Sequence, residues 1–473
     1  MSMTENINKP AVDAVRVRDP HRPRFHFTPP MNWMNDPNGI CHHDGRYHLY
    51  YQYNPNDALW GDIHWGHASS ADLVRWRDEP VALAPSSGPD EGGCFSGSFA
   101  LVYGQPTIYY TGYTDTAQVQ CMATSDDLQR WRKVDGALIE LPPAGVPRDQ
   151  FRDPYVFQHR DVWYMVVGAS LNGERGQCLL YRSDDGRDWK YLHPLYTSPR
   201  LQLGVMWECP NFFPIGDKWV LSVSVWQNMG AHYFVGRFEN ERFVPEFDDV
   251  LDVDGSAFAH LTFMAPDGRA LQWAWINEQR SADLMRADGW AGAMTVPRVL
   301  GLTDAGQLTI RPVDEIGALR GDVAAAATCR VGGAETVAFE GRHLDIELDV
   351  ELLDAKPVGL TLLASPDGLE ATRIVYNPNM RRLTVERARS SFNPKTERQN
   401  QHAHLYLEPG EPLRLRVLLD ATVIEVYAND RVNLTSRVYP TLGSSVGASV
   451  FAEGYANVAL KAWQMGDIYG EPA

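Results

Sequence analysis

Apolar positions along this chain come in short runs rather than at helical spacing. Five runs rich in Tyr, Trp and β-branched residues recur: YHLYYQY (47–53), TIYYTGY (107–113), VWYMVVG (162–168), KWVLSVSV (218–225) and ALQWAWI (270–276). Each is seven or eight residues long and bounded by Gly, Asp or Asn, which predicts a strand ending in a turn. Their starts lie 52 to 60 residues apart. A second element follows the first three runs in phase: SADLVRW, SDDLQRW and SDDGRDW place Trp76, Trp131 and Trp189 at steps of 55 and 58 residues. The Ser/Asp cluster supplies a turn and the Trp a plug between neighbouring sheets. Strand-only repeats of this length predict a five-bladed β-propeller over residues 25–318.

The pattern then changes. GDVAAAATCRVGGAE (321–335) reads as a linker, placed at 319–335. Beyond it, LRLRVLLD (413–420) and TVIEVYAND (422–430) alternate apolar and polar residues, as half-buried antiparallel strands do. Residues 336–473 therefore predict a C-terminal β-sandwich, and residues 1–24 an N-terminal extension. The expected class is all-β throughout.

Composition narrows the function. A net charge of −17 opposes nucleic acid or an anionic membrane as partner. No window is long and apolar enough to span a bilayer, and MSMTENINKPAVDAVRVRDP lacks the apolar core of a secretory leader. Six scattered cysteines without C-x-x-C spacing read as buried thiols in a reducing, cytoplasmic setting. Fourteen Trp and twenty Tyr suit cores, or a pocket for a flat-faced ligand such as a sugar.

Candidate chemistry appears when acidic residues are set against the repeat. Asp36 lies 14 positions before Tyr50, Asp153 lies 13 before Val166, and Glu208 lies 14 before Ser222. The three therefore share one phase in blades one, three and four, each close before a proline, a residue tolerated where a strand begins. Innermost propeller strands surround one axis, so equivalent positions on them should converge at one end of the channel. Crowded carboxylates cannot all ionise easily. Glu208, between Trp207 and Pro210-Asn211-Phe212-Phe213, has the apolar setting that keeps an acid protonated. Asp36, flanked by Asn35 and Asn38, has the polar setting that keeps a carboxylate charged. One acid held neutral and one held ionised is what glycoside hydrolysis requires.

At these residues the chain resembles glycoside hydrolase family 32, the invertases, inulinases and related β-fructosidases. WMNDPNG (33–39), FRDPYVF (151–157) and WECPNFF (207–213) are similar to that family's three acidic motifs, and the resemblance runs from about residue 25 onward. It implies a retaining β-fructofuranosidase with Asp36 as nucleophile and Glu208 as acid/base. Asp153, with Arg152, would hold the fructose hydroxyls. Asn35, Gln52, Trp60, Phe95, Ser96 and Trp290 would line the pocket, with inter-blade core as the alternative for Trp60 and Phe95. It implies no metal and no organic cofactor. One departure stands out: in LDVDGSAFA (251–259), Ser256 occupies a place where the family often has Asp, expected near the rim.

Other propeller glycosidases fit less well. A sialidase would need an arginine triad at matched phase, and the families acting on arabinans lack the M-N-D-P-N-G context. A non-catalytic sugar-binding propeller needs no proton donor, and a fructosyltransferase would use the same site. The expected partner is a small carbohydrate: sucrose or a fructo-oligosaccharide before a polymer. Net charge disfavours a phosphorylated sucrose unless one Arg or Lys stands in the pocket. The sandwich is assigned either to stabilising the propeller or to mediating a homo-oligomer.

Overall fold

The computed structural model describes residues 19–228, 230–252 and 256–469, so most of the expected N-terminal extension lies outside the described residues. The first four blades are four-stranded antiparallel meanders read in chain order. Blade one comprises Asn32–His43, Arg46–Asn54, His64–Ser70 and Trp76–Leu83; blade two comprises Gly93–Val102, Gln105–Thr114, Ala117–Ser125 and Trp131–Lys133. Blade three is Phe151–His159, Val162–Leu171, Arg175–Ser183 and Lys190–Thr197; blade four is Trp207–Ile215, Lys218–Val225, Gly230–Glu239 and Arg242–Asp252. Blade five begins with Ala257–Met264 and Ala270–Ile276 and ends with Arg298–Leu302 and Leu308–Pro312. The five apolar runs seen in the sequence are the second strands of the blades. They are apolar on both faces because each is covered by a neighbouring blade on either side.

The first strands of the five blades pack against one another in a closed ring around the axis. Ring closure uses an excursion inside blade five. After a short helix, Ala282–Asp288, the chain returns as Trp290–Ala291 and pairs in parallel with Asn32 and Trp33 of blade one. Gly292 (φ 88°) completes the fit, since a Cβ there would lie 2.2 Å from the Met34 carbonyl oxygen.

Two six-stranded sheets form the sandwich. Their facing sides bury Leu344, Ile346, Leu348, Val417, Leu360 and Ile374 in a core of their own. Residues expected to form a linker are instead a full strand, Arg320–Val331, paired antiparallel with Ala456–Met465 at one edge of the first sheet. Its alanines are mostly half-buried, Ala324 and Ala325 against the sandwich core, and a run of such small residues without alternation disguised a strand as a connector.

Propeller and sandwich share a buried polar seam. Arg298 donates to Glu425 (2.6 Å), Asp252 (3.0 Å) and Thr435 (2.8 Å), while His26 bridges Asp420 (2.9 Å) and Glu425 (3.0 Å). Arg437 and Tyr439 of the sandwich reach Glu278 of the propeller at 2.7 and 2.6 Å. Ser256 lies here too, rather than at a rim. Its hydroxyl accepts from Gln279 (2.7 Å) and from Gln401 of the sandwich (2.8 Å), wholly buried. No helix among the described residues is long and apolar enough to cross a membrane.

Candidate active site

In every blade, the register of the first strand slips where it nears one end of the axis. The slips fall between Met34 and Pro37, Phe95 and Gly97, Arg152 and Tyr155, Glu208 and Asn211, and Phe258 and Leu261. Such bulges re-aim side chains that a regular strand would alternate from face to face. Asp153 (φ 65°), Cys209 (φ 44°) and Ala259 (φ 53°) take the left-handed conformation that makes the turn. The bulges of blades one to four thus direct Asp36, Ser96, Asp153 and Cys209 toward a common point, with Glu208 beside Cys209. The sequence phase holds only to within two residues: Asp36 lies one place, Asp153 two and Glu208 three before the first pair that follows its bulge. Glu208 stands just before its bulge, at the place of Arg152 in blade three, and the true counterpart of Asp153 is Cys209.

A cavity of about 680 Å³ opens above this point. It is lined by Asp36, Asp153 and Glu208, by the predicted Asn35, Gln52, Trp60, Phe95 and Arg152, and by residues the sequence reading missed: Trp33, Gln118, Asp149, Met206, Trp226 and Trp275. Trp275 sat within a recognised strand run, but periodicity alone did not reveal which of its faces meets solvent. Ser96 lies beneath the floor. Trp290 is a correction: it is wholly buried at the ring closure, its indole N–H donating to Asp19 (2.5 Å) and its ring flanked by the guanidinium groups of Arg22 (5.0 Å) and Arg280 (4.8 Å).

Asp36 accepts from Asn35 (3.0 Å) on one oxygen and from Ser96 (2.6 Å) on the other, with the Cys209 thiol 3.5 Å away. Asn35 is itself fixed, accepting from the Trp33 indole (2.8 Å) and donating to Gln52 (2.8 Å). The polar setting expected for Asp36 is present, yet burial outweighs it and raises the pKa; the donors Ser96, Asn35 and Cys209 oppose that rise. Asp153 accepts the backbone N–H of Cys209 at 2.9 Å. Burial raises it to about 6, against the nearby Arg152 and with the Asp36 charge.

Glu208 accepts two bonds from Arg152, at 2.9 Å from Nε and 2.6 Å from Nη2. Burial raises its pKa to about 7; Arg152 pulls it down, and Asp153 and Asp36 push it up. Arg152 therefore clamps the acid rather than waiting for a sugar hydroxyl. Its remaining Nη1 donates to Gln118 (3.1 Å) and the Asp149 carbonyl (3.2 Å). All six cysteines are free thiols, but the uniform burial expected fails at Cys329, exposed on the sandwich, and at Cys209, which lies between two carboxylates.

The chemistry this arrangement offers is a proton donor poised near neutrality facing a hydrogen-bonded carboxylate in a half-enclosed aromatic cavity. Among the described residues no group of three or more His, Cys, Asp or Glu has metal-holding geometry.

Two sequence profiles match the chain: the N-terminal domain of glycosyl hydrolases family 32 over residues 26–312, and the C-terminal domain of the same family over residues 315–464. A sucrose-6-phosphate hydrolase of Zymomonas mobilis is 35% identical, the match covering 94% of this chain and 92% of that protein. A raffinose invertase of Escherichia coli is 33% identical over 89% of this chain and 90% of its own. Among solved structures, fructan 1-exohydrolase IIa from Cichorium intybus superimposes with a TM-score of 0.87 at 28% identity, covering 95% of this chain and 98% of that one. A variant of that enzyme has been solved with 1-kestose.

Proposed function

The chain belongs to glycosyl hydrolase family 32, and from that premise we propose that it is a retaining β-fructofuranosidase releasing terminal fructose from sucrose or short fructo-oligosaccharides. The observation that carries this reading is the pair of contrasting carboxyls: Asp36 held by side-chain donors, chiefly Ser96 and Asn35, and Glu208 lifted to about 7.

In the first step a carboxylate oxygen of Asp36 attacks C2 of the fructosyl unit. The bond from C2 to the glycosidic oxygen breaks, and the Glu208 proton passes to that oxygen. In the second step water attacks C2, its proton returns to Glu208, and the bond to Asp36 breaks. Two displacements restore the β configuration. Asp153, buried beside both, hydrogen-bonds fructose hydroxyls as positive charge grows on the ring.

Mutation tests the assignment. Glu208→Ala should lower kcat by about 10²- to 10⁴-fold while leaving the far-ultraviolet circular dichroism unchanged. Asp36→Ala should abolish turnover likewise. Near-wild-type fructose release by either variant sinks the reading. Product analysis on sucrose, 1-kestose, inulin and levan fixes the preferred chain length, and a glucose-to-fructose ratio above one reports transfer to another sugar.

A further inference from the structure

Building on the fructosidase reading above, we propose that Trp226 is the platform on which the leaving sugar stacks, and that the cavity around it selects a neutral ring over a phosphorylated one. The acid must stand beside the oxygen it protonates, so the leaving group lies on the Glu208 side of the cavity. Across blade four, Trp207 pairs with Val225 and Glu208 with Ser224. Trp226 is the next residue, at the end of that second strand, and lines the cavity together with Met206 and Gln227.

Two tryptophans stand at this mouth with nearly equal exposure, Trp60 at 56% and Trp226 at 55%. They differ in what they touch. Trp60 leans edge-on against Phe95 (6.0 Å), which in turn stacks on Tyr113 (4.5 Å). Trp226 meets no other ring among the described residues, so its face is available. Leaving an indole half in water is costly, and the apolar C–H face of a sugar ring is the surface that relieves the cost in a cavity.

The platform is braced. The neighbouring Gln227 accepts the backbone N–H of Val205 at 3.2 Å. Gly204 (φ 75°) lets that segment press down: a Cβ there would lie 2.5 Å from Val225 Cγ1 and 2.6 Å from Gln227 Oε1.

Charge decides the second half of the proposal. Four carboxyls line the cavity, those of Asp36, Asp149, Asp153 and Glu208, against one guanidinium, that of Arg152. Arg152 directs its donors to Glu208, Gln118 and the Asp149 carbonyl. A phosphate on the leaving ring would meet carboxylates with no lining cation left to receive it, and like charges in such a site suppress binding.

The test compares wild type, Trp226→Ala and Trp226→Phe on sucrose, 1-kestose, sucrose 6-phosphate and methyl β-D-fructofuranoside, whose leaving group has no ring. Trp226→Ala should lower kcat/KM on sucrose and 1-kestose about tenfold while changing the methyl fructoside less than about twofold. Trp226→Phe should recover most of the loss. Wild type should prefer sucrose to its 6-phosphate by about tenfold or more. An equal loss on the methyl fructoside, no loss on sucrose, or a preference for the phosphorylated sugar would each overturn the proposal. Failure of wild type to release fructose from any of the four would instead overturn the fructosidase reading, and the platform with it.

Discussion

Glu208 is raised by burial and held back by its ion pair with Arg152. The proposed mechanism needs Glu208 protonated at the start, so kcat/KM should fall as pH rises through about 7. Arg152 favours the charged form of Glu208, and Arg152→Gln should therefore move this basic limb to higher pH; a limb that stays put or moves down would contradict the clamp. On the same mechanism the acidic limb belongs to Asp36, whose pKa burial raises. At this scale the three acids were legible because each lies in a distinctive motif. Arg152 as a clamp was not, because a residue next to a catalytic acid in sequence gives no sign of which acid it faces. Trp60, Trp226 and Trp290 carry the same local signal, an indole near polar residues. Whether such a ring ends half exposed like Trp226 or wholly buried like Trp290 depends on segments far away in the chain.

Strand elements explain why the acids converge although the repeat counted from sequence does not match their registers. A regular strand alternates its side chains between faces, so Glu208 and Asp153, one place apart in register, would diverge. The bulges remove that constraint. Their presence is invisible to a hydrophobic pattern, since a single inserted residue leaves apolar runs intact on either side. Beside the bulge in blade three stands Gly168, which pairs with Arg152. A Cβ there would lie 2.3 Å from the Trp207 carbonyl oxygen of blade four. Gly168→Ala should force the two blades apart, costing about 1–3 kcal/mol of stability, and should reduce kcat more than that loss alone accounts for. Urea denaturation alongside kinetics separates the two. Alanine tolerated in both measurements would show that the blade junction does not hold the acids. The edge strand Arg320–Val331 failed to announce itself for a related reason: small residues with little alternation resemble a spacer.

Over the whole molecule, the propeller and the sandwich are joined through buried charge as well as apolar contact. Glu425 receives His26 and Arg298 at once, and Leu418, Tyr427 and Met465 extend the propeller's apolar core. Glu425→Ala would leave the buried Arg298 guanidinium one of its two carboxylates, Asp252, and should cost up to about 3–5 kcal/mol, read as a lowered melting temperature; an unchanged melting temperature would argue that the seam is incidental. Glu278 and Glu425 are both lowered from 4.5 to about 2, where burial is outweighed by Arg280 and Arg437 for the first and by Arg298 for the second. Because their folded values are depressed, the stability they contribute is present above pH 4.5 and drains away as pH falls from there toward 2. The two-part architecture was readable from the change in pattern near residue 320, whereas the seam was not, being built from single polar residues scattered over both parts. The parallel pairing of Trp290–Ala291 with Asn32–Trp33 also has a temporal side. The strand that carries Asp36 leaves the ribosome before its flanking partner, which follows about 250 residues later, tens of seconds at ordinary elongation rates. The strand that carries Asp36 thus gains its flanking partner only once blade five has been made.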